Sequence, residues 1–207
     1  MLLFHGSKSG IQGDIQPISR DKCDFGRGFY MGTDEQQPLT LICNFTAPVL
    51  YTVDFDTEDL RVLDLSLDLD WAFLIAFNRG KLETARSSAL YTRISTLSDG
   101  FDVVSGAIAN DRMFIVLDRF FNGEITDAAL VACLSALQLG RQYAAITQRA
   151  CDKATIVGEH ALSPEELDAL RDASELNRAK GIALAEAICR EHRREGRFFD
   201  EIVSADR

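Results

Sequence analysis

The sequence predicts an α+β fold, with a mainly antiparallel sheet, short helices between its strands and a helical appendage at the carboxyl end. Several short apolar runs rich in β-branched and aromatic residues alternate with stretches at helical spacing, divided by turn residues. The 207 residues, 46% apolar and 26% charged, suffice for one globular domain with its own core. Past Gly158 the strand pattern gives way to a charged helical one, so residues 1–158 form the expected domain and 159–207 the extension.

Residues 2–7 are a short apolar run closed by turn residues, a first strand with His5 at its end. Residues 8–24, with Gly10, Gly13 and Pro17, read as a surface loop. The next stretch, Asp24-Phe25-Gly26-Arg27-Gly28-Phe29-Tyr30-Met31-Gly32, places three glycines in seven residues beside flat side chains. Such a composition suits a loop-to-strand edge that holds something planar. Thr33-Asp34 is an N-cap for a helix with Pro38 in its first turn, running through Leu39, Leu41, Ile42 and Phe45. Residues 50–55 and 61–65 are strands, and 68–78 a helix whose Trp71 lies on the apolar face and is assigned to the core.

The run 101–109 is the most strand-like in the chain and closes on Asn110-Asp111-Arg112, where Asp111 caps a helix over 112–121. That helix carries Met113, Val116, Leu117 and Phe120 on one side. Thr126-Asp127 starts another, with Leu130, Cys133, Leu134 and Leu137 as its apolar face. Residues 141–147 and 154–158 are two further strands. Ser163, Pro164 and Glu166 then form a capping-box start to a long helix, with His160 in the turn before it and His192 solvated near its end.

Composition narrows the function. A net charge of −10 disfavours sequence-independent nucleic-acid binding, which draws its affinity from Lys and Arg on phosphates. The five cysteines form no C-x-x-C pair and no cluster with histidine, so neither a zinc site nor a disulfide framework is expected, and no metal is assigned. The first residues lack a basic segment ahead of an apolar one, and no run reaches the length of a membrane span. The expected location is therefore cytoplasmic, or a target cell reached without a cleaved signal peptide, with no membrane partner. The glycine spacing fits neither the dinucleotide turn nor the P-loop.

Two segments in order, His5-Gly6-Ser7 and Phe25-Gly26-Arg27-Gly28-Phe29-Tyr30-Met31, resemble the signatures of the ADP-ribosyltransferase superfamily in its poly(ADP-ribose) polymerase-like branch. The pattern of Ser19-Arg20, then Trp71, then Gly106-Ala107-Ile108-Ala109-Asn110-Asp111-Arg112 is similar to a bacterial family of uncharacterised proteins placed beside these transferases. The resemblance covers residues 1–158 and implies a split, mainly antiparallel sheet with NAD as substrate. It departs where the polymerases carry a serine and a second tyrosine against nicotinamide, since Pro38 and Leu41 stand there.

Carried over residue by residue, the resemblance makes His5 a partner of a ribose hydroxyl, Gly6 the backbone clamp on the carboxamide and Tyr30 the ring stacked on nicotinamide. Ser7, Arg20, Gly28 and Phe29 complete the cofactor-binding set. The third catalytic position, usually a glutamate, corresponds to Gln142, which bonds a hydroxyl but takes no proton. Asp111 is the alternative source of a base.

The leading expectation is an NAD-dependent mono-ADP-ribosyltransferase of a macromolecular acceptor, protein or nucleic acid. The resemblance also admits a bacterial toxin or effector, with an antitoxin or immunity protein as partner. The alternative is a catalytically silent NAD-binding or protein-interaction module, which Gln142 favours. A plain structural domain ranks last, because it leaves the ordered glycines beside His5 and Tyr30 unexplained.

Overall fold

The strands are β1 (Leu2–Ser7), β2 (Phe29–Gly32), β3 (Val49–Phe55), β4 (Val62–Asp64), β5 (Val103–Ala107), β6 (Arg141–Ala145) and β7 (Ala154–Ala161). They form one seven-stranded sheet in the order β4-β5-β6-β2-β1-β3-β7, antiparallel throughout except for the β4–β5 pair. The computed structural model describes residues 1–108, 111–137 and 140–205, without the side chains of 111, 112 and 175–179. A mixed α/β architecture on a mostly antiparallel sheet is therefore what the chain adopts.

The helices are α1 (Gln36–Ile42), α2 (Leu69–Asn78), α3 (Ala89–Ser95), α4 (Asp111–Phe121), α5 (Asp127–Leu137), α6 (Gln148–Cys151), α7 (Pro164–Glu191) and α8 (Phe199–Ala205). Strand alternation sorts the side chains into two cores. On one face Val104, Ala144 and Tyr30 meet α2, α4 and α5, with Trp71, Met113, Val116, Leu117, Phe120, Leu130, Cys133, Leu134 and Leu137 buried between them. On the other face Leu3, Phe29, Met31, Tyr51, Val53, Phe55, Val103 and Ala145 pack with Ala150 and Cys151 of α6. The expected apolar faces of α4 and α5 are buried residue for residue. Ala185, Cys189, Phe199, Ile202 and Val203 of α7 and α8 join the first core, so the carboxyl-terminal helices share it with the sheet.

Local chemistry sets the boundaries. Asp68 caps α2 by accepting from Asp70 and Trp71 N–H groups, and the Ser163–Glu166 capping box starts α7 as its sequence requires. Several expectations are corrected. The first helix stops at Ile42 rather than reaching Phe45, whose N–H turns back to the Ile42 carbonyl. Residues 81–100, where the sequence pattern suggests no element, hold a 3-10 turn (Glu83–Ala85) and α3, capped by Ser88. His160 lies within β7, not in a turn: pairing with Leu50 of β3 extends the strand three residues past Gly158.

Gly106 ties the glycine-rich segment to the sheet. A Cβ there would lie 2.9 Å from both Phe25 Cζ and Trp71 Cδ1, so only glycine lets these rings seat on β5. Trp71, fully buried, donates its indole N–H to the Ala107 carbonyl at 3.0 Å. Gly106→Ala is expected to lower stability by ~1–3 kcal/mol through overpacking, read as a fall in the midpoint of thermal or urea unfolding.

Candidate functional site

Between β1 and β2, pairing among the described residues is confined to Phe4 and Gly32. The hydrogen-bond phase shows what this interruption exposes. Met1 N–H donates to Phe55 O at 2.8 Å and Phe55 N–H to Met1 O at 2.9 Å. The β1–β3 register then runs without a shift to Ser7 and Val49. His5 thus exchanges its backbone bonds with Tyr51, and the N–H and C=O of Phe4 and Gly6 turn toward β2. On β2, Thr33 N–H donates to Arg141 O at 2.9 Å, so the backbone groups of Tyr30 and Gly32 turn toward β1. A continued ladder would set Gly6 opposite Tyr30, but the strands part first.

His5 occupies that parting. Its Nδ1 lies 2.7 Å from the Tyr30 carbonyl oxygen, and a carbonyl only accepts, so Nδ1 carries the hydrogen and Nε2 keeps a free lone pair. Burial lowers the His5 pKa, opposed by the bond to Tyr30, and the ring is held neutral. The imidazole stacks on Phe29, with centroids 4.2 Å apart and planes 27° from parallel. Phe29 is itself buried in the second core and serves as the floor on which His5 rests. Gly6 is pressed under α1: an added Cβ would come within 2.9 Å of Ile42 Cγ2 and 3.0 Å of the Pro38 carbonyl oxygen. Pro38 is part of the roof over Gly6.

Tyr30 lies on the opposite face from His5, packed beside the first core. Its hydroxyl donates to Gly26 O at 2.7 Å and accepts from Phe25 N–H at 2.9 Å, which clamps the glycine-rich turn around Gly26, at φ +83°. Burial, with the nearby Asp24 charge added, pushes the phenol well above its usual range, so the hydroxyl stays protonated. Ser19 supports the same turn by accepting from Gly28 N–H at 3.3 Å. Gly28 lies against the Ala145 carbonyl, 3.0 Å from where a Cβ would sit.

Gln142 shares the Tyr30 face, since Tyr30 pairs with Ala144 and Gly32 with Gln142. It is buried, and its Nε2 donates to Asp24 Oδ2 at 3.0 Å and to Ala107 O at 3.4 Å. Asp24, also buried, receives Arg79 Nε at 2.9 Å and Nη2 on its other oxygen, and the guanidinium carbon lies 3.2 Å from the Phe114 ring centroid. Asp24 and Arg79 are thus part of the site, although the sequence pattern does not single them out. The available signal was the position of Asp24 directly before Phe25-Gly26.

The remaining expected residues spread outward. Ser7 ends β1 beside Val49. Arg20 is exposed on the loop before the turn, and Arg27 forms an exposed ion pair with Asp21. Asp111 opens α4, but its side chain lies outside the described residues. A cavity of ≈ 640 Å³ between α4, the connection after it and α7, lined in part by Arg119, Cys189 and Arg190, shares no residue with the seam. Among the described residues, no group of three or more His, Cys, Asp or Glu side chains is placed to hold a metal ion. Nor is any helix of these residues long and apolar enough to cross a membrane.

Fold and seam define a mixed α/β protein whose mostly antiparallel sheet opens along a polar line between its first two strands. The chain belongs to the family described as "Protein of unknown function (DUF3990)", whose model matches residues 1–155 and so takes in His5, Asp24, Tyr30 and Gln142. No curated protein and no solved structure matches it.

The His5 environment has a pH signature. Because its folded pKa is lowered from 6.5, the unfolded chain binds this proton more readily, and stability falls as pH drops below 6.5 toward the folded value. His5→Asn keeps a donor for the Tyr30 carbonyl but has no titrating ring. Melting curves between about pH 8 and pH 5 should show wild type losing stability relative to His5→Asn below its unfolded pKa, and parallel curves would contradict a half-buried, neutral His5.

Proposed function

We propose that the protein is an NAD-dependent mono-ADP-ribosyltransferase acting on a macromolecular acceptor. The observation that carries the reading is the parting of β1 from β2 with His5 bonded across it to the Tyr30 carbonyl. The opened edge turns the N–H and C=O of Gly6 into the seam, a donor and an acceptor in the pattern a primary carboxamide requires. A nicotinamide amide matches that pair. The His5 Nε2 lone pair beside it suits a ribose hydroxyl, and the Tyr30 ring supplies the flat flank. Under this reading the seam is the split of an ADP-ribosyltransferase-like sheet.

Transfer breaks the bond between nicotinamide and ribose through an oxocarbenium-like centre, which needs a held leaving group, fixed hydroxyls and electron-rich neighbours. Gly6 would hold the leaving amide and Gln142, on the Tyr30 face with the fixed Asp24 carboxylate behind it, a ribose hydroxyl, while His5 from the opposite face would meet another hydroxyl of NAD across the seam. Delivery as a bacterial toxin or effector, with an antitoxin or immunity partner, belongs to the same proposal and rests on the motif resemblance. A second reading, an NAD-binding module without turnover, is favoured by the chemistry at position 142. An amide takes no proton from an incoming acceptor.

Purified protein is expected to release nicotinamide from NAD, faster with a cell lysate as acceptor, and Tyr30→Ala to abolish it. Tyr30→Phe should keep the ring and NAD binding while losing roughly 1–3 kcal/mol of stability with the bonds to Phe25 and Gly26. NAD binding by calorimetry without release would select the silent module. Neither binding nor release would overturn both NAD readings.

A further inference from the structure

We propose that Asp24 is the positioning residue for Gln142, turning its carbonyl oxygen to a ribose hydroxyl and carrying the negative charge that a glutamate at position 142 would otherwise supply. The inference rests on the NAD reading for its ligand and on the hydrogen-bond network for its geometry. Both contacts of Gln142 Nε2, Asp24 Oδ2 at 3.0 Å and Ala107 O at 3.4 Å, are acceptors without a hydrogen to give. The amide has one orientation that satisfies them, with nitrogen toward Asp24 and Oε1 away. No described residue donates to Oε1, although the residue is 6% exposed. A buried acceptor gains from a donor, and with none among the described residues a hydroxyl-bearing ligand would supply one.

The surroundings hold this orientation in place. Ala107 O is fixed by the Trp71 indole, and Asp24 by Arg79 on its second oxygen and by Asn78, whose Nδ2 donates to the Asp24 backbone carbonyl at 3.0 Å. Both neighbours of Gln142 across the sheet are glycines, Gly32 on β2 and Gly106 on β5. The Gly106 side is filled by Phe25 and Trp71. On the Gly32 side the nearest atom to an added Cβ is Gln37 Oε1, at 3.3 Å.

The arrangement also explains why position 142 is an amide. A glutamate there would set a second carboxylate about 3 Å from Asp24, a spacing at which two such groups do not both ionise. Residues 24 and 142 therefore form one unit with a single negative charge, and the charge resides on 24. Moving it should be possible only by changing both. In an Asp24→Asn, Gln142→Glu double variant the amide of residue 24 donates to the carboxylate of residue 142, restoring the hydrogen bond with its ends exchanged.

Wild type, Asp24→Asn, Gln142→Glu and the double variant are compared for NAD affinity by calorimetry, for KM and kcat of nicotinamide release, and for melting temperature. Asp24→Asn lets the Gln142 amide turn over and should weaken NAD binding about tenfold, the scale of one buried hydrogen bond. Gln142→Glu alone should weaken it as much and also melt lower. The double variant should recover both properties, with the recovery in KM rather than in kcat if the unit acts by holding the ribose. Effects of the two single changes that merely add in the double variant would overturn the inference while leaving the NAD reading intact. Wild type that binds no NAD overturns that reading and the ligand half of this one. The Asp24 half is then decided by the Gln142 side-chain amide signals in ¹H–¹⁵N spectra, which should be protected from exchange in wild type and lose protection in Asp24→Asn; equal protection in both would overturn it.

Discussion

The structure depends most on how two adjacent strands stop pairing. β1 and β2 meet at Phe4 and Gly32, and one step later the place of a backbone bond is taken by the His5 imidazole on the Tyr30 carbonyl. An opened edge in the middle of a sheet leaves backbone donors and acceptors that are expensive to bury without partners. His5 satisfies one of them and keeps the strands apart. The β1–β3 and β2–β6 ladders run without a register shift, so the opening is local to the β1–β2 seam.

A second constraint supports the first. The glycine-rich turn must lie flat on β5 and β6, and it does so because Gly106 leaves room for Phe25 and Trp71 while Tyr30 ties the turn through its hydroxyl. The turn brings Asp24 into the interior, where a charge survives only with partners. Arg79 from the end of α2 and Gln142 from β6 supply them. Breaking such a buried pair by removing one partner typically costs ~3–5 kcal/mol, which makes the network a structural element as much as a chemical one. Phe114 of α4 covers the guanidinium and links the turn to the helical layer.

Periodicity made much of this legible. The apolar faces of α4 and α5, the Asp68 cap of α2 and the Ser163 capping box are local rules, and they hold here because burial agrees with them. Residues 81–100 were illegible because their short helix has little apolar spacing of its own and is fixed by Leu90 and Ile94 packing into a core built elsewhere. His160 was misplaced for a related reason: β7 has both faces largely exposed, so its length follows from pairing with β3 rather than from an alternation pattern.

The candidate site divides the same way. By itself the sequence determined that glycines, an aromatic pair and His5 belong to strand edges, since those residues act through their own backbone conformations and hydrogen-bonding capacity. It also placed Gln142 at the start of β6. The tertiary structure alone decided that His5 and Tyr30 sit on opposite faces and meet through a carbonyl, and that Asp24 is the partner of Gln142, 118 residues away in sequence. Contacts of that separation depend on strand order and register, which no local pattern encodes. Here the decisive neighbours are β2 and β6, strands far apart in the chain, and only their pairing brings the turn before β2 onto Gln142.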